Sequence, residues 1–429
     1  MTPSLLNTGS RAQRLVQALQ ASGRPPVQAL VHHLIHGFTD RVTLLAICPN
    51  SATVLRAALQ AAHRLDAPLL LAATLNQVDT DGGYTGWTPQ TLMEATAQEI
   101  TRVGLDGPVL VGLDHGGPWL KDRHRREGWD LGQTMAAVKR SLEACLDAGY
   151  DLLHIDPTVD PALPPDAPLP VERVVERTLD LIAHAEAHRT AQGRPPVSYE
   201  VGTEEVHGGL ADLDVFDAFL QLLAEGLAAR GLERAWPSFV VGKVGTDLHT
   251  TTFDASVARR LTNRVKPRGA LIKGHYTDYV DAPEAYPLSG LGGANVGPEL
   301  TEVEFNALMD LVDLERQIGK ASGLYEALRE AVVQGGRWRK WLRGDEQGLA
   351  WDEVAAPRRR WMLRTCSRYI WTDPAVQAAR ARLYEHLRDQ AAPEAYVVWR
   401  VQTAIERYLH RFNLIGFTTR LAHHLSEGG

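Results

Sequence analysis

A carboxylate and an imidazole stand side by side at the end of an apolar run, and two glycines follow them. Asp114 and His115 come directly after Pro108–Leu113, and Gly116 and Gly117 come next. A carboxylate can take a proton from a substrate, an imidazole can bind a metal ion, and glycine lets a ligand approach the backbone closely. We interpret this segment as a buried strand that ends in a functional site.

Three histidines fall just beyond three different predicted strands, at His115, His249 and His275. A single histidine at a strand end is more often a hydrogen-bonded structural residue, but three neutral imidazoles with an open position are the ligand set of a catalytic Zn²⁺. Nearby carboxylates could complete the shell or admit Mn²⁺, Co²⁺ or Ni²⁺ instead. The pattern predicts a divalent metal, with zinc favoured. His154 lies inside its predicted strand and is the weaker candidate for a ligand.

Two carboxylates are candidates for catalytic roles. Asp114 beside a metal-bound substrate could remove a hydroxyl proton, whereas the structural alternative is a cap on the following turn. Glu200 stands in the apolar run Pro196–Val201, and a buried glutamate needs a partner. That partner could be the metal, a substrate hydroxyl or a lysine such as Lys243. The other polar residues predicted to contact substrate near the strand ends are Asn76, Asp156, Glu204, Lys243, Asp278 and Asn295.

Eight apolar runs alternate with helical segments along the chain. The runs are Val42–Pro49, Pro68–Thr74, Pro108–Leu113, Leu152–Asp156, Pro196–Val201, Ser238–Val244, Ala270–Lys273 and Gly293–Val296. This alternation predicts the α/β class and a (β/α)8 TIM barrel, whose active site lies at the C-terminal ends of the strands. A doubly wound sheet is the alternative, but the first strand-to-helix turn has no GxGxxG motif.

The strand pattern stops in the last quarter of the chain. We expect an N-terminal helical segment at 1–40, the barrel at 41–322, and a helical extension at 323–429 that packs on the barrel or at a subunit contact. The basic run Arg358-Arg359-Arg360 is interpreted as a solvated helix end or a set of intrachain salt-bridge partners, with phosphate binding as the alternative.

The composition is that of a soluble globular protein, with 44% apolar and 23% charged residues. A net charge of -7 gives no argument for nucleic-acid binding. No apolar run reaches the roughly 18 residues that a transmembrane helix needs. The N-terminus lacks a signal-peptide core and the three cysteines form no CxxC pair, so the expected location is the cytoplasm.

Several motifs resemble those of one family, in the same order along the chain. They are Asn76-Gln77-Val78, Gly82-Gly83-Tyr84-Thr85-Gly86, Asp114-His115, His154-Ile155-Asp156, Ser198-Tyr199-Glu200, His275-Tyr276-Thr277-Asp278-Tyr279, Val296-Gly297-Pro298 and Arg368-Tyr369-Ile370-Trp371. The series resembles the GatZ/KbaZ family, the so-called non-catalytic subunit of class II tagatose-bisphosphate aldolase. The resemblance implies a barrel of the class II aldolase type, in which a divalent metal stabilises an enediolate.

Two segments depart from the pattern that the resemblance implies. Class II aldolases that bind sugar phosphates have a Gly/Ser loop after the seventh-strand histidine, whereas this chain has Tyr276-Thr277-Asp278. Asn295 stands where the family has a lysine. An added acid and a missing cation disfavour a phosphate dianion, so an unphosphorylated ketose is expected.

These expectations combine into metal-dependent retro-aldol and aldol chemistry on a ketohexose. His115, His249 and His275 would hold the metal, and Asp114 would remove the C4 hydroxyl proton while the C3–C4 bond breaks. Re-addition after the aldehyde turns over gives C4 epimerisation between fructose-type and tagatose-type sugars. The alternatives are a tagatose-bisphosphate aldolase or its non-catalytic subunit. The expected partners are a ketose substrate, further copies of this chain in a homo-oligomer and, in the last alternative, an aldolase subunit, with no nucleic acid and no membrane.

Overall fold

The computed structural model describes residues 6–7, 9–164, 169–202, 210–246 and 251–427. Within them, eight parallel strands close into a barrel in chain order. The strands are β1 Leu44–Ile47, β2 Leu69–Thr74, β3 Val109–Gly116, β4 Leu152–Ile155, β5 Ser198–Gly202, β6 Phe239–Val241, β7 Leu271–Gly274 and β8 Gly293–Val296. Each strand overlaps its predicted apolar run, so the predicted (β/α)8 barrel is confirmed.

Helices precede the barrel and connect its strands. They are α1 Ser10–Gln20, α2 Pro26–His36, α3 Ala52–Leu65, α4 Pro89–Val103, α5 Asp122–Arg126, α6 Leu131–Ala148, α7 Val171–Ala191, α8 Leu213–Ala228, α9 Ala255–Val265, α10 Ala285–Ser289 and α11 Pro298–Gln317. Several begin at local sequence signals: Ser51 caps α3, and Thr88 forms a capping box with Thr91 ahead of Pro89. Such caps satisfy backbone N–H groups that have no partner in the first turn.

The C-terminal extension is helical and packs in two places. Its helices are α12 Leu324–Gly335, α13 Ala356–Cys366, α14 Pro374–Leu387, α15 Pro393–Arg411 and α16 Phe417–Glu427. Tyr408 and Phe417 of the last two helices join the apolar core of the barrel. Trp338, Met362 and Leu383 belong to a second apolar core, which also includes side chains of α11. Among the described residues, no helix is both long and apolar enough to cross a membrane.

Strand β3 extends beyond its predicted end at Leu113 and includes Asp114 and His115. Its pairing with β4 shifts register between Leu113 and Gly116, and His115 has a left-handed backbone with φ 50°. A bulge of this kind re-aims a side chain that regular alternation would send to the opposite face. The irregularity explains how two consecutive polar residues of one strand both contribute to one site.

Gly117 lies where the chain leaves β3, against the backbone that leaves β4. A Cβ added to Gly117 would lie 1.7 Å from the carbonyl oxygen of Asp156. We expect Gly117→Ala to lower the free energy of unfolding by at least about 1–3 kcal/mol, because backbone must move to admit the methyl group. Urea denaturation measures this loss.

Gly107 provides the matched control, because its added Cβ would meet no atom closer than 3.5 Å. Gly107→Ala is expected to stay within about 1 kcal/mol of the parent protein. Equal urea midpoints for the two variants would contradict the tight approach of the two segments at Gly117.

Candidate active site at the C-terminal end of the barrel

Asp114 is almost fully buried near the C-terminal end of β3. Its Oδ2 accepts a hydrogen bond from Asn295 Nδ2 at 3.0 Å, and its Oδ1 lies 3.1 Å from His154 Nδ1. Burial opposes ionisation of this carboxyl, but His115 and His275 beside it hold the pKa of Asp114 well below its usual value. Asp114 is therefore an ionised carboxylate whose two oxygens have defined orientations.

His115 and His275 are each held by a carboxylate through one ring nitrogen. His115 Nδ1 donates to Asp156 Oδ2 at 2.6 Å, and His275 Nε2 donates to Glu200 Oε1 at 2.9 Å. The other two nitrogens, His115 Nε2 and His275 Nδ1, face each other at 3.1 Å. In metal sites, a carboxylate on one imidazole nitrogen orients the ring so that the other nitrogen meets the metal.

The two imidazoles differ in protonation. Burial lowers the pKa of both rings, but the charge of Asp114 and the hydrogen bond to Asp156 raise the pKa of His115 to about 9. For His275 the effect of burial dominates, and its pKa falls to about 4. In the metal-free protein His115 therefore carries the proton that lies between the two rings. A metal ion bound by either of these facing nitrogens must displace that proton.

His154 takes part in the cluster although the sequence made it the weaker candidate. It lies on β4 directly opposite Glu200 of β5. Its Nδ1 accepts the backbone N–H of His115 at 3.1 Å, and its Nε2 is buried without a hydrogen-bond partner among the described residues. Alternation along the strand was the signal for this position, because His154 precedes Asp156 by two residues and so lies on the same face.

Glu200 is fully buried, and its charge partner is Lys273. Lys273 Nζ donates to Glu200 Oε2 at 2.6 Å. A buried ion pair with a lysine was one of the expected alternatives, and the structure shows one, but the lysine is Lys273 on β7 rather than Lys243. Burial raises the pKa of Glu200, but Lys273 and the neighbouring imidazoles lower it to about 2. Lys243 follows β6 and is only partly buried.

Asn76 cross-links two loops. Its Nδ2 donates to the carbonyl oxygen of Leu120, and its Oδ1 accepts the backbone N–H of Asp122, each at 2.9 Å. Both ends of its amide are therefore engaged within the protein. Two other predicted residues, the metal ligand His249 and the substrate contact Glu204, lie outside the described residues.

Asp278 occupies the N-terminal end of α11. Its Oδ1 accepts the backbone N–H groups of Gly297 at 2.9 Å and Glu299 at 2.8 Å. Helix N-termini favour a carboxylate or another anion, and here a carboxyl side chain of the same protein takes that place, although burial and the neighbouring Glu299 raise the pKa of Asp278 to about 7. This contact agrees with the expectation that the loop after β7 does not bind a phosphate group.

Five of these side chains have the chemistry to hold a divalent cation. Ligand atoms of His115, His154 and His275 lie within 4.8 Å of one another, and so do those of Asp114, His154, Glu200 and His275. A set of imidazole nitrogens and carboxylate oxygens suits Zn²⁺ and also admits Mn²⁺, Co²⁺ or Ni²⁺. The Nδ1 of His154, which lies 3.1 Å from Asp114 Oδ1, and the facing nitrogens of the other two rings fit such an ion.

Comparison with known proteins relates this chain to sugar-metabolising barrels. The sequence model of the family described as D-tagatose-1,6-bisphosphate aldolase subunit GatZ/KbaZ-like matches residues 31–410. A probable tagatose 6 phosphate kinase from Sinorhizobium meliloti 1021 is 24% identical, with a TM-score of 0.71 over 86% of this chain and 100% of that chain. The fructuronate-tagaturonate epimerase UxaE from Cohnella laeviribosi is 11% identical, with a TM-score of 0.53 over 90% of this chain and 85% of that one.

A fructose-bisphosphate aldolase from Campylobacter jejuni is also similar in structure. It is 9% identical, with a TM-score of 0.50 over 93% of this chain and 95% of that chain. At these identities the three structural likenesses establish the shared barrel fold.

Removing the ammonium group next to Glu200 tests the buried charge pair. We expect Lys273→Met to lower the free energy of unfolding by about 3–5 kcal/mol, because the mutation leaves a carboxylate buried without its cation. Chemical denaturation of the purified protein measures the loss. The double variant Lys273→Met/Glu200→Gln is the control and should lose less, because it buries no carboxylate at position 200. A double variant less stable than Lys273→Met would contradict this origin of the loss.

Proposed function

Because the chain belongs to the D-tagatose-1,6-bisphosphate aldolase subunit GatZ/KbaZ-like family, we propose that it is an enzyme that performs divalent-metal-dependent retro-aldol and aldol chemistry on a ketohexose. The specific reaction is epimerisation at C4, which interconverts fructose-type and tagatose-type sugars. The observation that carries this proposal is an oriented, ionised Asp114 beside three clustered imidazoles. Two of the similar barrels are named as an aldolase and as an epimerase, and both names agree with this chemistry.

His115, His154 and His275 would hold the metal, and the alternative ligand set is Asp114, His154, Glu200 and His275. When bound, a divalent cation acts as a Lewis acid that stabilises negative charge developing on the substrate oxygens. Glu200 already gives one oxygen to His275 and the other to Lys273. We therefore assign Glu200 a positioning role, in which it orients the imidazole of His275.

Asp114 is the proposed general base. It removes the proton of the C4 hydroxyl while the C3–C4 bond breaks, so that C4 becomes an aldehyde carbon and the electron pair passes to the three-carbon half as an enediolate. The aldehyde then turns over, and the enediolate adds to its other face. Asp114 returns the proton to the new C4 hydroxyl. Asn295 supports these steps because its amide holds Asp114 Oδ2 in place.

Epimerisation is preferred over release of the two halves. Neutral three-carbon fragments carry no charged group, so an enzyme binds them weakly. Weak binding matters less when both fragments stay in the site between cleavage and re-addition. The family description also admits a supporting subunit for a separate aldolase chain. That alternative requires no metal and no turnover by this chain.

Replacing Asp114 tests the base. Asp114→Asn, assayed with fructose or tagatose and a divalent metal, is expected to reduce turnover by about 10²–10⁴-fold, because an amide cannot accept the proton. Metal content is measured in parallel and should persist. Asp180→Asn is the matched control, since Asp180 lies half-exposed on α7 and, among the described residues, forms an ion pair with Lys139 alone. Full activity of Asp114→Asn would refute the assignment.

Metal binding is testable without any assay of activity. Zinc at about 100 times its dissociation constant should raise the free energy of unfolding by about 2.7 kcal/mol, and EDTA should reverse the gain. His115→Ala should abolish this response. His188→Ala should retain it, because His188 pairs with Asp147 on the outer helices. If neither zinc nor EDTA changes the free energy of unfolding of the parent protein, the result would instead favour the supporting-subunit alternative.

A further inference from the structure

A second group of histidines lies at the opposite end of the barrel from Asp114. Three of its members belong to α2 and one to α16, and we call it the outer histidine cluster: His32, His33, His36 and His424. Helix α2 lies at the N-terminal ends of the strands, because the backbone N–H of Gln28 donates to Ser198 Oγ at the start of β5. The cluster is therefore separate from the proposed active site, and no step of the proposed reaction uses it.

The four rings of the outer histidine cluster follow one another in a continuous series of contacts. The ring centre of His32 lies 4.7 Å from that of His36 and 5.9 Å from that of His33. The ring centres of His33 and His424 are 5.0 Å apart, and His33 Nδ1 lies 3.0 Å from His424 Nε2. Among the described residues, no carboxylate forms an ion pair with any of the four. Imidazoles that cluster without acids have ring nitrogens available as metal ligands.

His424 is held in place by its surroundings. The centre of its ring lies 4.8 Å from that of Phe38. A Cβ added to Gly37 would lie 2.3 Å from His424 Nε2, so the ring packs here because residue 37 has no side chain. Helix α16 begins against the barrel, since the backbone N–H of Thr418 donates to the carbonyl oxygen of Asp66. The ring of His424 is therefore oriented against α2 by two rigid elements.

The α2 side of the cluster presents uncharged imidazoles at neutral pH. Burial, together with the neighbouring His424, His32 and Arg24, lowers the pKa of His33 from its usual value. Burial, Arg24 and His36 lower the pKa of His32 in the same direction. A metal ion binds the unprotonated nitrogen of an imidazole, so binding at neutral pH has few protons to displace.

The spacing of His33 and His424 suits two ligands of one ion. Two imidazole nitrogens that lie about 2.0–2.1 Å from one tetrahedral ion are roughly 3.3 Å from each other. The facing nitrogens, at 3.0 Å, therefore need only a small turn of the two rings to share an ion. Both rings are partly exposed, so an ion can reach them from solvent. His36 is exposed one turn along α2 from His33, and a change of its rotamer can supply a third imidazole.

We propose that the outer histidine cluster binds a divalent transition-metal ion through His33 Nδ1 and His424 Nε2, with His36 or water in the remaining positions. Imidazole ligands favour Cu²⁺, Ni²⁺ and Zn²⁺ over Mg²⁺ and Ca²⁺. The bound ion joins α2 to α16. Imidazoles without a carboxylate bind zinc less tightly than the barrel cluster, so the zinc that fills the barrel site in the unfolding test leaves the outer histidine cluster largely empty.

Equilibrium dialysis against increasing Zn²⁺, with the metal counted per chain, tests the proposal on the full-length protein. We expect the parent to bind a second ion at a higher concentration than the first. His33→Gln and His424→Gln should each lose the second ion and keep the first, since glutamine keeps a hydrogen-bonding side chain but is not one of the usual zinc ligands. His423→Gln replaces the exposed histidine next to His424 and, as the matched control, should bind both ions.

Hydrogen exchange tests whether the ion joins the two helices. The second ion should slow exchange of the backbone amides of α16 severalfold in the parent and not in His424→Gln. Two ions retained in both glutamine variants, or a single ion that is lost in His115→Ala, would overturn the proposal, and unchanged exchange in α16 would contradict the link between the helices. A single ion that is lost in His424→Gln would uphold the proposal and refute the metal site in the barrel.

Discussion

Two opposite charges are buried side by side, Glu200 on β5 and Lys273 on β7, and each needs the other as its partner. The geometry of the site depends on this pair. Glu200 and Lys273 are 0% and 1% exposed, and both lie on strands whose other side chains pack in the apolar core. A slip of one residue in either strand would turn one partner towards the helices and leave the other buried alone. The pair therefore ties strand register to the position of His275, which Glu200 also holds.

The bulge in β3 allows two consecutive residues of one strand, Asp114 and His115, to contribute to the same site. In a regular strand, consecutive side chains point to opposite faces, so an adjacent acid and imidazole could not share one site. The left-handed backbone at His115 breaks the alternation. Asp156 then holds the His115 ring by its Nδ1, and the backbone N–H of His115 donates to His154. The strained residue is thus supported from β4 on both its backbone and its side chain.

Helix α11 connects this site to the extension through buried carboxylates. Glu299 accepts hydrogen bonds from Arg407 and Tyr408 of α15, and Glu302 accepts one from Thr365 of α13. These acids lie in the first turns of the helix, next to the end of β8, where the helix dipole favours negative charge. The buried carboxylates of α11 therefore attach the extension to the end of the barrel where β8 finishes.

Local sequence patterns were enough to predict the eight strands, their parallel order and the gathering of Asp114, His115, His275 and Asn295 at one end, because each strand is a short apolar run bounded by polar residues. Parallel strands of a barrel bring their C-terminal ends together whatever the side-chain details. The resemblance to the GatZ/KbaZ family also rested on local motifs, and the family match confirmed that resemblance.

Which polar groups contact one another depends on the packing of distant segments. Lys273 rather than Lys243 pairs with Glu200 because its side chain on β7 faces the side chain of Glu200 on β5. His154 contributes to the site because of the bulge in the neighbouring strand β3. The contacts of Glu299 with α15 and of Glu302 with α13 carried no sequence signal, because the path of the extension back to the barrel is set by long-range packing. Contacts between distant segments depend on how the helices pack, and the local pattern of residues does not encode that packing.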